Sequence, residues 1–326
     1  MNIGILAPGV IAKKMAATLA EMSKKDDVRC LAVGSRDLEK AKAFAEEYDI
    51  ERAYGSYEEL AADKDIDLIY ISSPHSHHYA HAMLCLNAGK SILVEKSFTG
   101  NARQAKEVIK LAKENNLLCA EAIWTRYLPM RKKLDEILAS GVIGKIHKLK
   151  ANLGYNKLHV ERMYNPALAG GALLDVGVYV INFALMAFGD DIENICSSAQ
   201  LADTGVDKFA DIKITFKDGK IAELYASCVE KTDRKGFIKG DKGFIEFENI
   251  NNCEWIEVNT DGGKLQHFDP PAQITGFEYQ VEACLRAWKA GEVECPEMPH
   301  GEIIKVMEIM DGLRKEWGVV YPFDHS

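Results

Sequence analysis

A surplus of basic residues is missing from this chain: 40 Lys and Arg face 49 Asp and Glu, giving a formal net charge of −9 over 326 residues. The Lys and Arg that exist are spread along the chain, which argues against a nucleic-acid partner. The chain also lacks any Cys-x-x-Cys pair among its eight cysteines (Cys30, Cys85, Cys119, Cys196, Cys228, Cys253, Cys284 and Cys295). They are scattered through strand-like and helix-like segments, as reduced thiols are, and so point to a cytoplasmic location. No apolar stretch reads as approaching the ~20 residues of a membrane span, which predicts no membrane partner. Met1–Ala12 has no basic lead-in and holds Pro8 and Gly9 within its apolar run, which reads against a signal peptide. Repeats and low-complexity linkers are absent too. With 47% hydrophobic and 27% charged residues the composition is that of a packed globular protein, and the length suits two domains.

Strand and helix signals alternate through the first 120 or so residues. Strands are expected at Asn2–Leu6, Val28–Val33, Leu68–Ser72, Ser91–Val94 and Leu117–Ala122. Helices are expected at Val10–Met22, Leu38–Tyr48, Tyr57–Ala62, His77–Asn87 and Ala102–Asn115. Repeated β-α-β units imply a parallel sheet covered on both faces. After Ala122 the rhythm changes. A helix at Leu128–Ala139 is followed by an extended Lys145–Tyr155 and a buried helical Gly170–Phe188. Strand-like runs from Ile192 to Phe268, broken by Lys-Asp-Gly, Gly-Asp-Lys-Gly and Asp-Gly-Gly turns, predict an antiparallel sheet. Helices near Thr275–Ala290 and Glu302–Glu316 follow. The domain boundary is expected near Trp124, giving domains 1–122 and 123–326.

Strand one runs into Ala7-Pro8-Gly9-Val10-Ile11-Ala12, a G-x-G-x-x-A fingerprint with alanine at its first glycine. A pyrophosphate needs a tight turn without bulk there, so that backbone N–H groups at a helix start can face it. Small residues in such a turn also serve packing alone, and the β-α-β context is what favours the binding reading. Strand two ends in Ser35-Arg36. An acid at this point would hold a ribose 2′-hydroxyl, whereas a hydroxyl and a guanidinium suit a 2′-phosphate, so NADP is favoured over NAD. Asp37, next in the chain, leaves room for NAD.

Ligands in an open parallel sheet sit beyond the carboxyl ends of the strands. There the sequence places Ser73-Pro74-His75-Ser76-His77-His78 and Glu95-Lys96-Ser97. An exposed Glu-Lys pair would stabilise little, whereas a partly buried lysine can act on a carbonyl or alkoxide. Asp175 and Tyr179, four apart in Gly170–Tyr179, share a helix face. Gly171 and Gly177 would let another backbone or a ligand come close. Asp, Tyr and a Lys from the other domain make a proton-transfer set. Two other readings stand beside this one. His77, His78 and His81 have helix spacings that could hold a metal, but no acidic or thiol ligand lies nearby in sequence. A non-catalytic redox sensor would keep the turn and Ser35-Arg36 without needing Lys96, Asp175 and Tyr179 together.

Ala7–Ala12, Ser73-Pro74-x-x-x-His78, Glu95-Lys96 and Gly170–Tyr179 together resemble the glucose–fructose oxidoreductase/inositol dehydrogenase family (Gfo/Idh/MocA). Glu121-Ala-Ile-Trp124-Thr-Arg126-Tyr127-Leu-Pro129 and Tyr179 resemble the branch of dimeric dihydrodiol dehydrogenases and NADP-dependent xylose dehydrogenases. The resemblance implies an α/β Rossmann domain plus an α+β domain with a large open, mainly antiparallel sheet, whose faces pack into a homodimer. It implies hydride transfer between nicotinamide and a secondary alcohol or hemiacetal carbon of a sugar, polyol or diol. Lys96 would orient the substrate oxygen, Tyr179 would exchange the proton, and Asp175 would position substrate or tune Tyr179. Trp124 and Arg126 would line the substrate cavity. Ala7, Gly9, Val10, Ile11, Ser35, Arg36, Ser73, Pro74, His75, His78 and Glu95 would face the cofactor. Three positions depart from the family pattern: Ala7 and Ala169 replace glycines, and Ser97 replaces a proline.

Overall fold

A computed structural model describes residues 1–325. Six parallel strands form the first sheet: β1 (Asn2–Leu6), β2 (Arg29–Gly34), β3 (Arg52–Tyr54), β4 (Leu68–Ile71), β5 (Ser91–Glu95) and β6 (Cys119–Ala122). Their spatial order is β3-β2-β1-β4-β5-β6. The order reverses between β1 and β4, the switch point at which such sheets open a crevice. β4, β5 and β6 are buried throughout, as strands covered on both faces must be, and β4 and the Ile92–Val94 centre of β5 are apolar runs rather than alternations. The connecting helices are α1 (Val10–Met22), α2 (Leu38–Tyr48), α3 (Tyr57–Ala62), α4 (His75–Asn87) and α5 (Ala102–Glu114). The short edge strand β3 carries no apolar run and is invisible to a periodicity reading. α4 starts two residues earlier than its pattern suggests because Pro74, with φ −60°, makes a ready helix entry.

The second sheet has eight strands: β7 (Ile146–Gly154), β8 (Ile192–Leu201), β9 (Asp207–Phe216), β10 (Ile221–Ser227), β11 (Gly236–Gly240), β12 (Gly243–Glu248), β13 (Trp255–Thr260) and β14 (Leu265–Phe268). They run in the order β14-β13-β12-β11-β7-β10-β9-β8. All pairs are antiparallel except β7 with β10. Period-two burial separates two faces. Leu149, Ala151, Ile212, Ile214, Leu224 and Ile245 point into the core, whereas Lys150, Asp211, Lys213, Glu223 and Tyr225 line a broad open groove of about 510 Å³ on the other side. α6 (Pro129–Ala139) and α7 (Glu161–Tyr164) precede a π-helical turn at Leu173–Gly177, which continues into α8 (Val178–Phe188). α8 packs against β7 and β10.

One sequence expectation needs correction here. Pro166–Phe188 is a 23-residue helical stretch with mean hydropathy 1.8, long and apolar enough to cross a membrane. Its most apolar window is 89% buried inside the protein, so it is a core helix by its surroundings. The apolar run escapes a simple count because Asp175 and Asn182 interrupt it.

The described residues divide into two compact units, 1–127 with 273–307, and 128–272 with the residues from 308 onward. The chain therefore returns to the first unit late. α9 (Glu278–Ala290) and the start of α10 (His300–Trp317) belong with the parallel sheet, although their sequence follows directly on the antiparallel strands. Two bonds fix them there: Thr18 Oγ1 to Thr275 Oγ1 at 2.6 Å, and His300 Nε2 to the Cys119 carbonyl at 2.8 Å.

Candidate functional site

The turn after β1 is built from backbone held on both sides. The Ala7 N–H donates to the Gly34 carbonyl at 3.1 Å, and the Ser72 hydroxyl reaches the carbonyls of Leu6 and Ala7, each at 2.9 Å. Ala7 has φ +71°, a left-handed conformation in which glycine costs least. Ala169 likewise has φ +58°. Both alanines that break the expected glycine pattern thus keep a glycine-like backbone.

Side-chain capping separates the five helices of this sheet into two groups. Asp37, Ser56 and Asn101 cap α2, α3 and α5. α1 and α4 begin at Gly9 and Pro74 without a side-chain cap. These two flank the switch point, and no side chain of their N-cap residues closes their starts, as a helix start that faces an anion requires. A Cβ added at Gly9 would meet only the Ala7 carbonyl, at 3.9 Å. No protein atom therefore requires glycine there, whereas a close-lying ligand would. Val10 is 90% exposed, a costly place for valine unless something covers it. These features fit a dinucleotide.

Ser35 is buried and its hydroxyl accepts from the Asp37 N–H at 3.3 Å. The Asp37 carboxylate in turn accepts from the N–H groups of Glu39 and Lys40, at 3.0 and 3.3 Å. The acid that left room for NAD is thus committed to capping α2. His78 is fully buried between two carbonyls, Nδ1 lying 2.8 Å from that of Ser97 and Nε2 2.7 Å from that of Ser73, and the neutral ring donates to one of them. It therefore ties the two strand-end loops together. Burial pulls its pKa down to about 4 against those two acceptors.

Glu95 is fully enclosed at the end of β5 and accepts a short hydrogen bond from the Tyr70 hydroxyl. Burial raises its pKa, while Tyr70, Lys96 and Lys14 oppose the rise. Glu121, on β6, accepts from the Phe98 N–H at 2.9 Å, and burial lifts it to about 8. Lys96 follows Glu95 directly and is half-buried, and its ammonium acts on both carboxylates and on His78. The Lys96–Ser97 peptide is cis. Lys14 places its ammonium 4.0 Å from the Trp124 ring and 4.2 Å from that of Phe277, a cation–π sandwich. Burial lowers its pKa. Trp124 and Arg126 are 8% and 4% exposed. Trp124 meets Phe277 edge-on at 5.1 Å, and Arg126 pairs with Glu302 at 2.5 Å.

In the second unit, Asp175 lies on the π-helical turn and Tyr179 on the first turn of α8, and both are buried. Arg162 on α7 holds the Asp175 carboxylate at 2.9 Å. The two glycines before this turn have protein reasons. A Cβ on Gly171, at φ +115°, would lie 2.1 Å from Asp207 Oδ1, and one on Gly170 would lie 2.6 Å from the Met163 carbonyl. Asp207 accepts from the Leu173 N–H at 2.6 Å, and the Tyr321 hydroxyl donates to the Gly170 carbonyl at 2.6 Å. Burial raises Asp207 to about 6. Sequence reasoning missed Ser72, Glu121, Arg162, Asp207 and Tyr321. Only Glu121 stood in a motif; the others act on residues far away in the chain.

Comparison with known proteins agrees with this geometry. Residues 1–122 match the GFO/IDH/MocA model described as an oxidoreductase family with an NAD-binding Rossmann fold, and residues 132–246 match a GFO/IDH/MocA C-terminal domain. The trans-1,2-dihydrobenzene-1,2-diol dehydrogenase of Homo sapiens is 33% identical over 98% of both chains, and that of Xenopus tropicalis is 34% identical with the same coverage. Among solved structures, a 3-ketoreductase from Actinomadura kijaniata in complex with NADP and TDP-benzene superposes with TM-score 0.87 at 24% identity, covering 97% of each chain. An aldose-aldose oxidoreductase from Caulobacter crescentus gives TM-score 0.87 at 19% identity, over 98% of this chain and 97% of that one. With relatives of one-third identity along nearly its whole length and matching models over residues 1–122 and 132–246, the chain belongs to the GFO/IDH/MocA oxidoreductase family.

Proposed function

We propose that this oxidoreductase interconverts a secondary alcohol or hemiacetal and the corresponding carbonyl compound on a sugar, polyol or diol, with NADP preferred over NAD. The observation that carries the dinucleotide half of this reading is the pair of uncapped helices, α1 and α4, on either side of the switch point. Asp37 carries the preference for NADP. Its carboxylate is spent on α2, which leaves Ser35 and Arg36 as the groups for the ribose 2′ position.

When bound, the dinucleotide accepts or returns a hydride at nicotinamide C4. Lys96 orients the substrate oxygen and stabilises its developing charge. Tyr179 takes the hydroxyl proton on oxidation and gives it back on reduction. Asp175, held by Arg162, positions substrate or tunes Tyr179. Trp124 and Arg126 contribute to the substrate wall. Ser73, His75 and His78 line the cofactor side after β4, with Glu95 beneath Lys96. The sheet face carrying Lys150, Asp211, Lys213, Glu223 and Tyr225 packs against its copy in a homodimer, and the enzyme works in the cytoplasm.

A panel of aldoses, polyols and vicinal diols, followed at the NADPH absorbance band, tests the substrate class. At least one member is expected to turn over with NADP⁺. NADP⁺ is expected to raise the melting temperature more than NAD⁺ at equal concentration, as linkage requires. Equal shifts would remove the role given to Arg36.

A further inference from the structure

α4 carries more histidine than the proposed chemistry uses. His77 and His81 lie one turn apart on it, with ring centroids 5.7 Å from each other. Each ring commits Nδ1 to a serine hydroxyl, His77 to Ser76 and His81 to Ser73, both at 2.9 Å. Among the described residues neither Nε2 makes a hydrogen bond. The Tyr57 ring of α3 meets His81 edge-on at 4.7 Å.

The charges around the two rings have one sign. Arg36, from the loop after β2, acts on both rings and on the Tyr57 hydroxyl. On α4 itself His78 and the two rings act on one another, and Ser73 and Ser76 are neutral. No carboxylate is among the groups that shift either ring. The nearest acid in sequence, Asp37, is occupied with the α2 cap. Arg36 is exposed and makes no ion pair among the described residues. Such a basic cluster without a counter-charge, at the carboxyl ends of β2 and β4, is built for an anion.

We propose that His77 and His81 join Arg36 in a titratable subsite for a phosphate monoester, the adenosine 2′-phosphate, so that preference for NADP over NAD rises as pH falls. This rests on the reading that the first unit binds NADP. In the free protein burial, helped by Arg36, lowers the pKa of both histidines, that of His81 to about 4. They are then neutral at pH 7. A phosphate dianion reverses the balance, because an opposite charge at hydrogen-bond distance favours the imidazolium. Binding therefore takes up protons, and the free energy of that uptake belongs to the ligand that carries the 2′-phosphate.

Calorimetry of the whole protein with 2′,5′-ADP, 5′-AMP and inorganic phosphate at pH 6.5 and 8.5, in buffers of different ionisation heat, tests this. The affinity for 2′,5′-ADP is expected to rise roughly threefold to tenfold from pH 8.5 to 6.5, with net proton uptake. That for 5′-AMP should stay level. His77→Gln and His81→Gln together should abolish both the uptake and the rise. Because His81 is half-buried, His77→Gln alone and the histidine ring-proton titration of the unaltered protein serve as second readouts. Histidine pKa values should rise when 2′,5′-ADP is added. Tight 2′,5′-ADP binding without proton uptake would overturn the histidine subsite and leave the NADP reading standing. Equal affinity for 2′,5′-ADP and 5′-AMP at both pH values would overturn both. Inorganic phosphate binding as tightly, with the same uptake, would overturn the assignment to the 2′-phosphate.

Discussion

The phosphate turn of the first unit and the Gly170–Tyr179 turn of the second are both short, small-residue stretches carrying proposed site residues and held by backbone hydrogen bonds, yet they differ in what crowds them. Ala7 is fixed by neighbouring strands, through the Gly34 carbonyl and the Ser72 hydroxyl. Gly170 and Gly171 donate to the Asn165 and Met163 carbonyls, and buried side chains crowd them besides: the Tyr321 hydroxyl donates to the Gly170 carbonyl and the Asp207 carboxylate fills the space beside Gly171. Hydrogen bonds to backbone atoms survive a change of side chain, so what a side chain costs at Ala7 is the left-handed φ of +71°. At Gly171 it costs more, because the carboxylate occupies the space a Cβ would need. A fingerprint position can therefore drift in the first region, while the second stays locked to partners elsewhere in the chain.

The sharpest way to break this comparison is chemical. Lys96→Ala is expected to abolish steady-state turnover, leaving only a slow single-turnover rate, while the NADP⁺-induced melting shift stays nearly intact. Tyr179→Phe should lose roughly 10²–10⁴-fold in rate, the usual size of general acid–base help. Next in size is Gly171→Ala, which sets a Cβ 2.1 Å from Asp207 Oδ1 at φ +115°. Urea unfolding should show a loss of roughly 3–5 kcal/mol. Gly177→Ala, whose Cβ would meet the flexible Leu173 Cδ1 at 3.0 Å, should cost clearly less.

A smaller effect comes from the buried Glu121. Its carboxyl stays neutral in the fold up to about pH 8, whereas the unfolded chain ionises it above about pH 4.3. A raised acid pKa means that the native state loses stability as pH rises through this window. Glu121→Gln keeps an acceptor for the Phe98 N–H and removes the titration. The unfolding free energy of this variant, relative to that of the unaltered protein, should climb between pH 5 and 8 by at most ~1.4 kcal/mol per pH unit, read by urea unfolding. The smallest effect is Ala7→Gly. Relief of the left-handed alanine should stabilise by up to about 1 kcal/mol, offset in part by the entropy of an added glycine. A loss of stability would show that Ala7 is held by more than its backbone.

How legible each region was follows from the same physics. β1, α1, α2 and α3 appear over the residues their patterns give, because local propensity and burial on a parallel sheet point the same way. Asp37 and Ser56 cap helices where their residue types predict. The buried run at Gly170–Phe188 was readable as helix, but its π-helical turn was not, since i→i+5 bonding leaves no clear mark on periodicity. The partners Asp207, Arg162 and Tyr321 were illegible. Each contacts the site across 13 to 151 residues of sequence, and no local pattern announces a long-range hydrogen bond. For the same reason Trp124, read as a cavity wall, has a packing explanation in Lys14 and Phe277 that only the fold reveals.

The proposed mechanism requires Lys96 and Tyr179 to act in the same chemical step. Single-turnover oxidation of the best panel compound by Lys96→Ala, Tyr179→Phe and the double variant tests it most directly. Groups acting as a unit give losses far from additive. The double variant should therefore be no slower than the worse of the two single variants. Losses that multiply would mean that the two side chains serve separate steps, and would contradict the account.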